Sequence, residues 1–472
     1  MAPPLRPTAY ERRPPAAGVV DHALAASRQA VFWLEDAPAY AGSGPLTQPV
    51  RADLTVVGGG YLGLWTAVLA KRRNPGARVV LLEAESVGWA ASGRNGGFCE
   101  ASLTHGEANG RSRWPEDYDV LERLGAENLD AMERDVDELG IDCHWERTGM
   151  LSIAVEEHQL TWLGSGPDVL SGDEARRQVN SPLVLGAVWE RGSTALVHPA
   201  RLARGLARAA SGLGVEVFEH SPVVSVETPR TGPALVVTPR GRVTSDRVAL
   251  ATNVFPSLLR RTRLLTVPVY DYVLMTEPLS AEQKASIGWA NRQGVGDLAN
   301  QFHYARLTQD DRILYGGYDA VYHAGRRVRS SYEDRPESHR RLASHFFTTF
   351  PQLEGLRFTH RWAGAIDTCT QFAAFHGLAR RGRVAYAAGF TGLGVGATRF
   401  AAEVMLDRLS GQDTERTRLA MVRRKPLPFP PEPMAAAGIN LARWSLDRAD
   451  HRQGERNLFL RALDTVGLGF DS

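Results

Sequence analysis

The chain runs to 472 residues, 43% hydrophobic and 23% charged, with a formal net charge of +2. That length holds roughly two to three domains with an ample core, and the near balance of charge argues against nucleic acid as a main partner. Cys99, Cys143 and Cys369 share no metal-ligand or redox spacing, so neither a metal site nor a disulfide framework is expected, and a reducing compartment fits.

Residues 1–18 carry Pro3, Pro4, Pro7, Pro14 and Pro15 and read as a flexible arm. They lack the apolar core of a secretory signal, and no run reaches membrane-spanning length. A cytoplasmic protein with no membrane partner is the expectation. A helix is expected over 23–34, its Phe32 and Trp33 packed on the body. A loop rich in Pro and Gly follows.

The stretch 53–97 organises the chain. An apolar run of buried-strand type enters Gly58-x-Gly60-x-x-Gly63. A helical segment with Tyr61, Leu62, Trp65 and Leu69 then stops at Asn74-Pro75-Gly76. A second apolar run ends on Glu83-Ala84. Each residue type has a physical task. Gly58 permits a tight turn, Gly60 lets the backbone approach a pyrophosphate, and Gly63 lets helix and strand pack closely. The N–H groups and dipole at the helix start favour phosphate. Glu83 stands where a carboxylate can accept from a ribose 2′ hydroxyl. Loop punctuation is the competing reading in a chain with 46 glycines, but strand, helix and acid all fall where a dinucleotide site needs them. The pattern does not by itself choose between NAD and FAD.

Downstream, Ser92-Gly93-Arg94-Asn95-Gly96-Gly97 follows at short range, and 99–113 reads as a loop. Leu121, Leu124, Leu129, Met132 and Val136 mark a helix over 117–140, and 143–155 reads as strands about Thr148-Gly149. His198-Pro199 opens another helix. Strands are expected at 215–218, 222–226, 234–238 and 247–251. The runs 266–276, 302–307 and 312–318 are β-rich and aromatic. Alternation puts Tyr270, Tyr272 and Leu274 on one face and Asp271, Val273 and Met275 on the other, and sends His303 and Tyr304 to opposite faces. A helix over 334–350 precedes Arg361-Trp362-Ala363-Gly364. Gly389-Phe-Thr-Gly392-Leu393-Gly394-Val395 leads into a helical run through Thr398 and Arg399. Residues 423–433 are basic and then Pro-rich, an extended strap, before a closing helical pair over 435–449 and 457–463.

The Gly58 motif, Glu83, the 92–97 run, Ala251-Thr252-Asn253 and the 389–398 run, in that order, resemble the glycine oxidase and D-amino-acid oxidase superfamily of FAD enzymes. The nearest likeness is to its γ-glutamylputrescine oxidase-like branch, which shares Trp33-Leu34 and Trp362-Ala363-Gly364. The resemblance implies an α/β chain, α+β overall. It further implies a Rossmann-like FAD-binding domain of the glutathione-reductase type and an interleaved substrate domain on an antiparallel sheet. The boundaries expected are an arm at 1–50, an FAD domain of 51–148, 198–255 and 360–411, a substrate domain of 149–197 and 256–359, and a tail at 412–472.

The cofactor set implied is Gly58, Gly60, Tyr61, Leu62, Gly63, Glu83, Ala84, Ser92, Gly93, Arg94, Asn95, Gly96 and Gly97 from the first half. From the rest come Val224, Thr252, Asn253, Gly364, Gly389, Gly392, Leu393, Gly394, Val395 and Thr398. Asn253 stands where relatives have Gly, and Asn tolerates positive φ better than most residues. Sarcosine oxidases attach FAD through a Cys near the position of Gly364; Cys369 lies several residues later and reads as a buried thiol, so non-covalent FAD is expected.

The implied reaction is oxidation of a C–N bond in a small amine or amino acid, with an imine that hydrolyses in water. Tyr270, Tyr272, His303, Trp362 and Arg399 are the substrate-side candidates. Aromatic core packing competes for the tyrosines and His303, and a surface ion pair competes for Arg399. Oxygen is the expected acceptor, with hydrogen peroxide as product. A dehydrogenase serving a quinone or protein carrier is the alternative, and a flavoprotein kept for binding is a third reading. The 267–276 run holds no Lys to assist oxygen, which leaves Arg306, Arg361 or His303. A disulfide reductase would need a redox Cys pair, and an aromatic hydroxylase a late Gly-Asp-Ala; neither is present. The oligomeric state is left open.

Overall fold

Two large sheets carry the chain in the computed structural model, which describes residues 5–465 and 467–469. The first sheet has eight strands. Val50–Val57 lies parallel to Val79–Leu82 on one side and to Arg242–Leu250 on the other. All four residues of Val79–Leu82 are buried, as a central parallel strand covered on both faces requires. Glu216–Phe218 extends one edge in parallel. Val384–Ala388 returns late in the chain to pair with Arg242–Leu250 and carries Phe375–Ala379 beside it. Helices Tyr61–Arg73, Pro199–Gly212 and Ala397–Ser410 pack on this sheet, with Trp65, Val68, Leu202, Leu206 and Phe400 in one core.

The second sheet has ten strands. Its centre is antiparallel: Phe358–Thr368, Val267–Thr276, Ile313–Gly317, His303–Leu307 and Gly294–Asp297 in spatial order. Helix Pro336–Thr349 covers one face and packs Leu342 and Phe346 with Leu274, Ile313 and Tyr315. The other face meets the 92–97 segment.

Several sequence expectations change. The helix expected over 23–34 is Ala17–Leu24, a short strand Arg28–Gln29 and helix Phe32–Asp36. Arg28 and Gln29 pair in parallel with His360 and Arg361, so tertiary pairing overrides the local helical pattern. The expected arm is docked from Thr8 onward. Tyr10 donates to Asp297 at 2.5 Å and packs on His303 and His345; Pro3 and Pro4 lie outside the described residues. The expected loop 99–113 holds strand Phe98–Glu100 and helix Gly106–Arg113. Only Met150–Ala154 is a strand within 143–155. Phe358–Thr368, assigned mostly to the FAD domain, belongs to the second sheet, because its long antiparallel ladder with Val267–Thr276 satisfies its backbone there. Thr194–Leu196, assigned to the substrate domain, pairs with Phe98–Glu100.

The strap docks on the same chain: Phe429 N–H donates to the Leu264 carbonyl, and Thr370 to that of Leu427, both at 2.8 Å. Helices Met434–Asp450 and Leu458–Thr465 follow. No helix of the described residues is long and apolar enough to cross a membrane.

Candidate active site

A cavity of about 1180 Å³ opens at the carboxyl ends of the parallel strands, where open α/β sheets bind ligands. It exceeds the roughly 300–1,000 Å³ of ordinary small-molecule sites, as an extended dinucleotide requires. Gly58, Gly60, Tyr61, Leu62, Glu83 and Ala84 line it. Ser92, Asn95, Val224, Thr252, Asn253, Gly392, Gly394, Val395 and Thr398 also line it.

Two glycines of the turn leave no room for a side chain. Gly58 has φ +112°, and a Cβ there would lie 2.4 Å from the Ala251 carbonyl oxygen. A Cβ on Gly60 would meet Ser92 Oγ at 2.9 Å. Glu83 accepts from the N–H of Gly59 (2.5 Å) and Glu85 (3.0 Å) and from the Trp89 indole (2.9 Å). A carboxylate offers about four lone-pair sites, and the Ala84 N–H also acts on this one. Burial pushes the Glu83 pKa up, and those donors pull it back. Asn253 sits at φ +48°, and its Oδ1 is buried without a partner among the described residues, an acceptor that a bound donor would satisfy. The cradle, the orphaned acceptor and the cavity's volume fit FAD.

The other cofactor-side residues build walls. Gly63, Gly93 and Gly97 let backbone segments touch: a Cβ on each would lie 1.9 Å from Gly58 O, 2.2 Å from Gly88 O and 2.2 Å from Val197 O. Gly96 abuts the Tyr304 ring, and Gly389 abuts Cys369 and Phe375. Leu393 is buried in the core. Arg94 donates to the Trp89 carbonyl and to Glu333, and Gly364 lies across from it. The helix expected from Gly392 begins only at Ala397; Thr391 and Gly392 take positive φ, so 391–396 is a turn. Cys369 is buried, with Sγ against the Gly389 and Ala373 carbonyls.

Two indoles clamp the segment between the sheets. Trp33 Nε1 donates to the Asn95 carbonyl at 3.0 Å and Trp362 Nε1 to that of Arg94 at 2.8 Å.

The substrate-side candidates fare differently. Tyr270 and Tyr272 point away from the cavity and donate to the Arg329 and Tyr332 carbonyls. His303 is on that same far face, bonded to Asp297 at 2.7 Å and His345 at 2.9 Å. Arg399 is ion-paired with Asp135 at 2.6 Å and stacks over Trp65, so it does not reach a substrate carboxylate. The role proposed from sequence for these four is corrected by strand and helix phase: each lies on the packed face of its element. Trp362 faces the 92–97 segment.

Residues that sequence reasoning missed stand in their place. Asp271 and Tyr304 share the face of Ile366 and are joined by a hydrogen bond from the Tyr304 hydroxyl. Trp89, Phe255, Ile366, Asp367 and Phe390 line the cavity. Asp367 accepts from the Gly389 N–H at 2.6 Å; burial raises its pKa to about 7 against the N–H bonds of Gly389 and Phe390. The alternation of Val267–Thr276 gave the two faces, but not which one meets the cavity.

Comparison with known proteins accords with this geometry. The profile of the family described as DAO, FAD dependent oxidoreductase, matches residues 53–408. Gamma-glutamylputrescine oxidoreductase of Escherichia coli (strain K12) is 32% identical over 415 residues, 82% of this chain and 89% of that protein. Probable oxidoreductase OrdL of Haemophilus influenzae (strain ATCC 51907 / DSM 11121 / KW20 / Rd) is 29% identical over 388 residues, 78% and 85% of the two chains. Among solved structures, glycine oxidase from Bacillus cereus ATCC 14579 superposes with a TM-score of 0.65 at 20% identity, over 79% of this chain and 99% of that one, which shows a shared fold. The chain belongs to the DAO family of FAD dependent oxidoreductases.

Proposed function

We propose that this FAD-dependent enzyme oxidises the C–N bond of a small amine or amino acid. The observation that carries the reading is the continuity of the cavity from the Gly58–Gly60 turn to Ile366, beside the open face of the second sheet. Relatives named for amine or amino-acid substrates, gamma-glutamylputrescine oxidoreductase and glycine oxidase, support the substrate class.

Bound FAD would supply the hydride acceptor, and the imine product would hydrolyse in water to an aldehyde or keto acid plus ammonia or an amine. The protein's part is binding and placement. The N–H groups at the start of Tyr61–Arg73 beyond that of Tyr61, which donates to Ser92 Oγ, would hold the pyrophosphate, and Glu83 would hold the ribose. Helix Ala397–Ser410 starts where Val395 and Thr398 line the cavity, so its dipole favours negative charge there. The face bearing Asp271, Tyr304 and Gly364 presents the reacting carbon.

Oxygen is the proposed acceptor, on the likeness to oxidases across 92–97 and 389–398, with hydrogen peroxide as product and non-covalent FAD. One observation favours a second reading, a dehydrogenase that serves a quinone or protein carrier. The cations suggested for oxygen reduction are engaged elsewhere: His303 on the far face, Arg361 on Ser27 and Asp334, Arg306 on the Gly97 and Val197 carbonyls. Stopped-flow reoxidation of substrate-reduced enzyme decides. Rapid return of colour in air is expected; flavin that stays reduced for minutes in air yet reoxidises at once with an artificial acceptor establishes the dehydrogenase.

A further inference from the structure

Asp271 stands opposite Gly364 in the ladder of Val267–Thr276 with Phe358–Thr368, and Val269 stands opposite Ile366. Residues two apart on a strand share a face. Asp271 and Gly364 are therefore on the face of Ile366, which lines the cavity. Gly364 places no side chain beside the carboxylate, and a Cβ there would find only Arg94 Cβ, 3.7 Å away. Asp271 stays partly open to solvent. The Tyr304 hydroxyl donates to its Oδ2, and that ring is fixed over Gly96 and Gly316 and edge-on to Phe98.

The charges around this point are lopsided. The groups acting on Asp271 are Tyr304, the N–H groups of Tyr272 and Gly317, and the like-charged Asp319, and no ion pair joins it among the described residues. Burial raises its pKa to about 6, the behaviour of a carboxylate short of a counter-cation. Arg94, whose Cβ lies beside Gly364, is engaged with Glu333, and three further arginines are engaged as well: Arg306 with the Val197 and Gly97 carbonyls, Arg361 with Asp334 and Ser27, and Arg399 with Asp135. An ammonium group entering this recess meets an uncompensated anion. A carboxylate meets no unengaged arginine among those four and is repelled by Asp271.

We propose that Asp271, oriented by Tyr304, is the anchor for the ammonium group of the substrate, and that the substrate class is an aliphatic amine without a carboxylate on the carbon that is oxidised. This narrowing rests on the amine-oxidising reading above.

The test uses two probes of one shape, tert-butylammonium and pivalate. The carbon bearing nitrogen in the first has no hydrogen, so neither probe is turned over. Each is titrated into the holoenzyme and followed by perturbation of the flavin absorbance band. The wild type is expected to bind the cation saturably and at least tenfold more tightly than the anion. Asp271→Asn keeps the shape and the Tyr304 bond, and is expected to weaken the cation by roughly tenfold to a hundredfold, the worth of a hydrogen bond to a charged group. Pivalate binding as tightly as the cation, no saturable cation binding, or an unchanged affinity in Asp271→Asn overturns the assignment. The comparison in the wild type stands even where the variant fails to fold. The amine-oxidising reading fails by a different sign: tert-butylammonium binds, yet no amine bleaches the flavin without oxygen.

Discussion

Gly60 and Asp367 show how single side chains decide this site. A valine at Gly60 would press on Ser92 Oγ, which is already 2.9 Å from the position of a Cβ, and fill pyrophosphate space. Gly60→Val is expected to purify without colour and to resist reconstitution; a yellow variant with wild-type FAD content would remove the Gly-rich turn from the site. Asp367 titrates from about 7 in the folded chain against an ordinary value of 3.8. A raised folded pKa means that its contribution to stability is greatest below about 3.8 and is lost as pH rises through about 7. Asn at this position still accepts from the Gly389 N–H and does not titrate. The melting temperature of Asp367→Asn should therefore gain on the wild type between pH 5 and pH 8. A difference that does not change over that window would show that Asp367 is ionised throughout.

At the scale of elements, the N-terminal segment and the strand Phe358–Thr368 act on the same loop from two sides. Each sends an indole N–H to a carbonyl of Arg94 or Asn95. Trp33-Leu34 and Trp362-Ala363-Gly364, two features of the sequence resemblance, thus have one physical role in holding the 92–97 segment against the second sheet. Trp33→Phe keeps most of the ring packing and loses the hydrogen bond, worth about 1 kcal/mol, so FAD should dissociate roughly fivefold more readily. Equal FAD retention, measured by equilibrium dialysis against the wild type, would make that bond incidental.

The strand–turn–helix–strand–acid unit was legible because its residues are close in sequence and each has a local task. The substrate wall was legible only as alternation. Tyr270, Tyr272 and His303 drew attention as aromatic and titratable groups, yet their face is the one covered by helix Pro336–Thr349 or its flanking loop. Asp271, one residue over, shares a face with Ile366, which lines the cavity. Which side a sheet presents is set by what packs on it, and that packing comes from chain far away. The same reason hid the short strand Arg28–Gln29, whose partner is more than 300 residues distant, and the register that puts Phe358–Thr368 in the second sheet.

Over the whole molecule, the two sheets meet along the 92–97 segment, with the Gly58–Gly60 turn on one side and the sheet face bearing Asp271 on the other. Cys369, the thiol nearest in sequence to Gly364, is enclosed between the Ala373 and Gly389 carbonyls, and burial raises its pKa to about 11. A thiol held protonated in this way is a poor nucleophile, so acid precipitation should leave the yellow colour in the supernatant; a yellow pellet would mean a covalent bond. The central claim is that the cavity and the face beside it oxidise an amine through FAD. Anaerobic titration of the purified holoenzyme with a panel of small amines and amino acids, followed at the flavin absorbance band, tests it most directly. At least one amine should bleach the band fully, with one equivalent sufficing per flavin. A flavin that dithionite reduces but no member of the panel bleaches would contradict the account.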